Sequence, residues 1–250
     1  MFEVRDNAEQ VDVLVYDYIG SYDGEISAKQ IKDALDKANG RPVNLHIDSG
    51  GGDVFEAFAM CSNIQRYEGK VTAYVEGLAA SAASYLAVVC DEVIMNDYAY
   101  LMIHRASAIA WGNALVMEDT AERLRNIDKT LAGIYEKRSG LTLDEVLAYM
   151  DAETWFTAAE ALEVGLATEV VETEQRIAAR IDREHARHYN HIPEGIAIGD
   201  ATEQAPEVEN LEAESHAPET MENDGAVKEA ARVFTMDGHI YQGKDNRHEL

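Results

Sequence analysis

A serine hydroxyl is essentially un-ionised at neutral pH and becomes a nucleophile only beside a base. Three separated segments of this 250-residue chain hold the parts such a reaction needs. In Gly77-Leu78-Ala79-Ala80-Ser81-Ala82-Ala83-Ser84 a serine stands among very small residues, directly after the apolar run 71–75. A strand that turns sharply into a helix and exposes a hydroxyl at the corner demands such neighbours. His104 follows 23 residues later, at the end of Tyr100-Leu101-Met102-Ile103. Gly50-Gly51-Gly52 comes earlier, with Gly52 29 residues before Ser81. Glycines let main-chain N–H groups converge where negative charge develops. Each segment alone has a plainer use: close helix packing, a core imidazole, a tight turn. Together they indicate a serine hydrolase with Ser81 as nucleophile and His104 as base.

The neighbours sharpen that choice. Ser84 should already lie inside the helix and face its neighbours. Among residues 1–175 the only other histidine is His46, in mid-strand, and it reads as packing. Strand ends are where catalytic groups gather in open α/β sheets, which favours His104. Spacing alone does not choose the third member. A group that orients the imidazole should be partly buried, so Asp151 or Glu153, beside Trp155-Phe156, is preferred to exposed helix acids.

Elements able to position these residues alternate along 1–175. Residues 11–16 alternate apolar and polar, as a half-buried strand does, and 43–47 run as a strand into the glycine triplet. Ser27-Ala28-Lys29-Gln30 is a capping box, opening a helix that stops at Asn39-Gly40. Val54, Phe55, Phe58, Cys61 and Ile64 give the next helix an apolar face. Strands are expected at 71–75, 92–95 and 100–103, with a buried helix at 84–89. Strand–helix repetition with continuous apolar strands implies α/β layering. A long helix follows over 114–138, with Leu124, Ile127, Leu131 and Ile134 on one stripe and Gly140 ending it. Thr142 and Thr157 open two further capping boxes, and a strand at 168–171 closes the domain near residue 175.

The remainder changes character. Residues 176–188 suit a short basic helix. From His188 to Val227 there is neither Lys nor Arg, while nine acidic residues fall between Asp200 and Asp224 and Pro193, Pro206 and Pro218 interrupt the stretch. Residues 190–225 therefore read as a disordered linker, followed by a helix near 226–233 and a hairpin turned by Asp237-Gly238.

Bulk properties exclude several classes. Net charge is −26, spread as −18 over residues 1–175 and −8 over 176–250, which argues against a nucleic-acid partner. No apolar run approaches the roughly 18 residues of a membrane span. The first residues lack a signal-peptide pattern, and the terminal Arg-His-Glu-Leu misses the retention tetrapeptides. Cys61 and Cys90 have no ligand spacing and read as reduced thiols of a cytoplasmic protein, so neither metal nor cofactor is expected.

These residues resemble the Clp protease proteolytic-subunit family over roughly 10–172, and within it the phage and prophage branch associated with head maturation. The family's Gly-x-Ala-Ala-Ser motif corresponds to Gly77–Ser81, and its Met-Ile-His strand to Met102-Ile103-His104. The loop Asn-Ser-Pro-Gly-Gly appears as Asp48-Ser49-Gly50-Gly51-Gly52, and the Glu153–Ala161 block matches the stretch around the third catalytic residue. The resemblance implies oxyanion donors at the N–H groups of Gly52 and Ala82 and substrate contacts at Gly51, Gly52, Asp53 and Val54. It puts the acid at Glu153, where the family usually has aspartate, with Asp151 as the alternative. Gly50 in place of proline should loosen the loop. The implied fold is a spiral of β-β-α units with a protruding handle helix at 114–138, followed by a largely disordered acidic extension. The implied protein is a cytoplasmic serine endopeptidase of polypeptides, assembled as a homo-oligomeric ring.

No Gly-x-x-x-x-Gly-Lys-Ser/Thr loop occurs, so ATP-driven unfolding would come from a separate ATPase. Capsid or scaffold proteins are the partners the phage branch implies, with association to the prohead in the host cytoplasm. Two other readings fit parts of the pattern. A crotonase-type enzyme shares the architecture and the glycine-built oxyanion hole but acts on acyl-CoA thioesters. A catalytically silent assembly protein would use the acidic tail as scaffold, against which the retained Ser81 and His104 argue.

Overall fold

The computed structural model describes residues 1–22, 24–172, 180–183, 185–194, 196–199, 234–236 and 239–241. In chain order the first elements are β1 (Phe2–Asp6), β2 (Val11–Val15), α1 (Ala28–Ala38), β3 (Val43–Ser49), α2 (Val54–Gln65), β4 (Val71–Ala80) and α3 (Ala82–Val88). Then come β5 (Glu92–Asn96), β6 (Tyr100–Ile103), α4 (Ala114–Ser139), α5 (Leu143–Asp151), β7 (Thr154–Thr157), α6 (Ala158–Glu163) and β8 (Glu169–Val171). The expected α/β layering is present.

Strands β2, β3, β4, β5 and β8 pair in parallel, with β1 antiparallel on β2 at one edge. Along β3, Val43, Leu45 and Ile47 are buried while Asn44, His46 and Asp48 are half-buried, the period of two that distinguishes the faces of a sheet. The first set packs into the main core with Met60 of α2 and Leu86 of α3. Helices start where the capping boxes predict: Ser27 with Gln30, Thr142 with Glu145 and Thr157 with Glu160 each close reciprocally. Gly140 ends α4 in the left-handed conformation, φ 74°, that glycine adopts most readily.

Strand β4 is longer than its β-branched stretch suggests. Thr72–Val75 pairs with Glu92–Met95 of β5, and then Leu78–Ala80 pairs with Tyr100–Met102 of β6. The small residues carry no strand signal of their own; the new partner extends the strand to Ala80. This fork in the sheet ends β4 and β6 beside each other, and β7 completes that edge antiparallel to β6.

The described residues past 175 do not form the helix expected over 176–188. The described part of that stretch is β9 (Arg180–Asp182) and a 3-10 turn (His185–His188), and β9 pairs in parallel with β10 (Ala197–Gly199). Ile181 and Ile196 are buried against Leu78, Ala80 and Met102, on the sheet face away from α2 and α3. Of the linker expected over 190–225, residues 190–194 and 196–199 are described, with Ala197–Gly199 forming β10. Its remainder, 200–225, and the helix expected near 226–233 lie outside the described residues. Compact units span Met1–Asn210 and Leu211–Leu250. Within the second, β11 (Phe234–Met236) and β12 (His239–Tyr241) pair antiparallel on either side of Asp237-Gly238, the expected hairpin. Among the described residues no helix is long and apolar enough to cross a membrane, and no His, Cys, Asp and Glu cluster could hold a metal ion.

Candidate active site

Ser81 occupies the corner between β4 and α3 with φ 52° and ψ −119°, a conformation L-residues rarely adopt and one that projects a side chain off a strand–helix turn. The corner is held from several sides. The Ser81 N–H donates to the Met102 carbonyl at 3.0 Å, tying it to β6. Its own carbonyl accepts from the Ser84 N–H and from the Ser84 hydroxyl, which shares a 2.7 Å bond with the Tyr135 hydroxyl of α4. Ser84 is therefore a buried support of the elbow, as its place inside the helix predicts.

His104 lies one residue past β6, and its Nε2 is 2.7 Å from the Ser81 hydroxyl oxygen. That is the contact a general base needs. Burial holds the imidazole below the ordinary histidine value, while the Glu153 and Asp128 carboxylates act in the other direction. The imidazole is accordingly neutral, and able to accept a proton, at pH 7.

The glycine loop is more constrained than the replacement of proline by Gly50 suggests. Ser49 donates its hydroxyl to the Asp17 carbonyl at 2.6 Å and accepts from the Gly51 N–H at 3.1 Å. The Gly51 carbonyl accepts from the Ile19 N–H, and the Asp53 N–H donates to the Ile19 carbonyl. Between those two bonds Gly52 stands at φ 142°, its own N–H outside that ladder. A Cβ at Gly52 would lie 2.0 Å from the Ile19 carbonyl oxygen, and one at Gly51 would lie 2.6 Å from the Ala80 oxygen and 2.8 Å from the Ala82 nitrogen. Neither position admits a side chain. The loop is thereby pressed against the start of α3, where the Ala82 N–H belongs to the first turn and has no intrahelical acceptor.

A cleft of about 420 Å³ opens here, lined by Ser81, His104, Gly52, Asp53, Val54 and Tyr189, among others. Of Gly51, Gly52, Asp53 and Val54, where substrate contacts are expected, the last three line the cleft and Gly51 does not. It is buried behind the lining, with both of its main-chain polar groups bonded internally. The Asp53 carboxylate is engaged as the N-cap of α2, accepting from Phe55 and Glu56.

The two acids separate clearly. Asp151, expected to be partly buried, is instead exposed and forms a bidentate pair with Arg105, 2.7 and 2.9 Å. At the end of α5 its side chain points to solvent, and the nearest strong partner is that guanidinium. Glu153 is buried, at φ 51°. Its carboxylate accepts from the Asn190 N–H, the Asn190 amide and the His191 N–H, all within 2.7–2.9 Å. Among the described residues no hydrogen bond joins it to His104.

Several residues of this region were not anticipated. Asp128, on α4, is buried and accepts the Ala106 N–H at 2.8 Å, fixing the chain just after His104. Its place between Ile127 and Leu131 on the apolar stripe is the signal that separates it from the surface acids. Tyr189 and Asn190 gave no such signal in a stretch dominated by acids and prolines. His46, read as packing, is half-buried between carboxylates. Its Nδ1 is 2.7 Å from Glu76 and its Nε2 3.7 Å from Asp12, and its ring stacks on Tyr74.

Residues 11–174 match the family model described as Clp protease. An ATP-dependent Clp protease proteolytic subunit from Bacteroides fragilis is 32% identical over 134 residues, 53% of this chain and 65% of the relative. Proteolytic subunit 2 from Rhodococcus jostii is 32% identical over 133 residues, 52% of this chain and 68% of its own. Subunit 1 from Streptomyces coelicolor is 30% identical over 135 residues, 53% of this chain and 62% of its own length. The chain thus spans somewhat under two thirds of the Bacteroides and Streptomyces proteins.

Proposed function

The chain belongs to the Clp protease family, and from that premise we propose that it is a serine endopeptidase. The observation that carries the reading is the 2.7 Å contact between the Ser81 hydroxyl and His104 Nε2 at a strained strand–helix corner. In this reading Ser81 attacks the peptide carbonyl as His104 takes the hydroxyl proton. The N–H groups of Gly52 and Ala82 stabilise the oxyanion, and His104 returns the proton to the departing amine. A water molecule, giving a proton to the same imidazole, then attacks the acyl carbonyl, and the C–O bond to Ser81 breaks as the imidazolium returns that proton to the serine oxygen. Glu153, through its charge on the imidazole, is the acid of the set.

The substrates are polypeptides, read by main-chain contacts along Gly52–Val54. Ile109, Trp111 and Leu115, at and just before the start of α4, are exposed large apolar residues, suited to burial against a second copy in a homo-oligomer. Relatives named ATP-dependent suggest a separate ATPase that delivers unfolded chains. The setting is a bacterial cytoplasm, and in the head-maturation variant of this reading the substrates are capsid or scaffold proteins, a choice that neighbouring portal and capsid genes would decide.

A fluorophosphonate probe labels an activated serine. The wild-type chain is expected to be labelled and Ser81→Ala to lose all labelling. Undiminished labelling of the variant would overturn the assignment.

A further inference from the structure

Between β9 and β10 the described residues 185–194 pass over the cleft, where His188 and Tyr189 are part of its lining. The base of this excursion is fixed. Strands β9 and β10 pair with each other, and Ile181 and Ile196 are buried on the sheet against Leu78, Ala80 and Met102. The tip is held differently. Arg187, His188, Asn190 and His191 are exposed, Ala186, Tyr189 and Ile192 are partly buried on the same apolar cluster, and Tyr189, Asn190 and His191 make polar contacts to the site. The Tyr189 hydroxyl donates to the Gly50 carbonyl. Its ring meets Trp155 edge-on, 5.3 Å between centroids, and lies 5.8 Å from that of His104. The next two residues supply every hydrogen bond that the Glu153 carboxylate accepts among the described residues.

We infer that Tyr189-Asn190-His191 is an intramolecular latch over the active site, and that a polypeptide is cleaved only after this latch lifts. The inference rests on the serine-endopeptidase reading and names how that site is regulated. Two features of the closed arrangement oppose catalysis. An extended substrate needs room beside Ser81 and His104, and Tyr189 lines that cleft with its ring 5.8 Å from that of His104 and its hydroxyl on the Gly50 carbonyl. Orientation of an imidazole by a carboxylate needs that carboxylate turned toward it, and the Glu153 carboxylate is held by three N–H donors of the tip with no hydrogen bond to His104.

The closed state also carries an unmet polar group: Trp155, against which Tyr189 packs, has its indole N–H buried without a partner. Unsatisfied buried groups disfavour the state that buries them. Ala186, Tyr189 and Ile192 are only partly buried on the cluster that fully buries Ile181 and Ile196, so lifting the tip exposes less apolar surface than freeing its base, and the tip is the part that opens first.

The test compares the full chain with Tyr189→Ala and Tyr189→Phe, following fluorophosphonate labelling rate and kcat/KM on fluorescein-labelled casein. Removing one hydrogen bond of ordinary strength should shift the closed–open balance about fivefold, so Tyr189→Ala should raise kcat/KM on casein by at least about that factor. Tyr189→Phe keeps the ring and should give a smaller rise, through the lost bond to Gly50. An unchanged or lowered kcat/KM in a Tyr189→Ala protein that melts with the wild type would overturn the latch. If Tyr189→Ala folds poorly, an unchanged or lowered kcat/KM in Tyr189→Phe overturns it equally. Absence of Ser81-dependent labelling in the wild type would instead overturn the peptidase reading, so the two failures are distinct.

Discussion

The serine–histidine half of the site and its acid half are built on opposite principles. Ser81 and His104 are fixed by the ends of β4 and β6, two adjacent strands of the same sheet, and the elbow is bonded through main-chain groups and the buried Ser84–Tyr135 pair. Glu153 sits after α5 at a left-handed residue and takes its hydrogen bonds from a segment 37 residues further along the chain. One half is preorganised by the core, and the other depends on a loop tip. Catalytic power that comes from orientation should thus be robust on one side and adjustable on the other.

Replacing each acid tests that division most severely. Glu153→Gln keeps the shape and removes the charge that His104 feels, and a lost triad carboxylate costs about 10⁴-fold in kcat where it is fully used. A loss of about 10²- to 10⁴-fold is expected, set against less than about twofold for Asp151→Asn, whose carboxylate is spent on an exposed pair with Arg105. The pH profile adds an independent readout. Burial already lowers the His104 pKa and Glu153 opposes that shift, so Glu153→Gln should move the acid limb of kcat/KM to still lower pH. An acid limb that moves with Asp151→Asn instead would transfer the role.

The next effect in size belongs to the rigid half. Gly52→Ala would drive a Cβ to 2.0 Å from the Ile19 carbonyl oxygen, and the loop must shift away from its bonds to Ile19. Misplacing one oxyanion donor costs about 10²- to 10³-fold in kcat. That loss is expected with KM for a short peptide changed far less, because the donor acts on the developing charge. A variant with normal kcat and raised KM would make Gly52 a binding residue only.

The same asymmetry governs what could be read in advance. The Ser81–His104 pair and the glycine loop were legible because strand ends, small residues and glycines impose local geometry wherever they occur. Capping boxes at Ser27, Thr142 and Thr157 and the Gly140 stop were legible for the same reason. The extension of β4 to Ala80 was not, because Ala and Gly take the strand conformation only when β6 offers a partner. Nor was the segment over the cleft. Ile181 stands in a basic stretch and Tyr189 and Ile196 in a lysine- and arginine-free, proline-bearing one, and the burial of each is decided by the sheet face it covers, not by any local period. Asp151 and Glu153 are two residues apart, and only the turn after α5 sends one out and the other in.

Asp48 links the two halves, since it belongs to β3 beneath the glycine loop yet lies on the half-buried face of the sheet. Burial pushes its pKa up to about 6, against a weaker opposing hydrogen bond from the Leu78 N–H, and its Oδ1 has no partner. A carboxyl raised in the native state binds its proton more tightly there than in the unfolded chain. Stability from this group is therefore fully present below the unfolded value, near 4, and is lost as pH rises through about 6. Asp48→Asn carries the amide found in the family's loop pattern and cannot ionise. It is expected to stabilise the protein by ~1–2 kcal/mol at pH 8, less than the full linkage value because the amide also needs a partner, and by almost nothing at pH 4. Urea unfolding of both chains at the two pH values measures the difference. A gain of equal size at both would show that shape, and not charge, is what the site resists, and would leave the fixed half of the active site free of any buried titration.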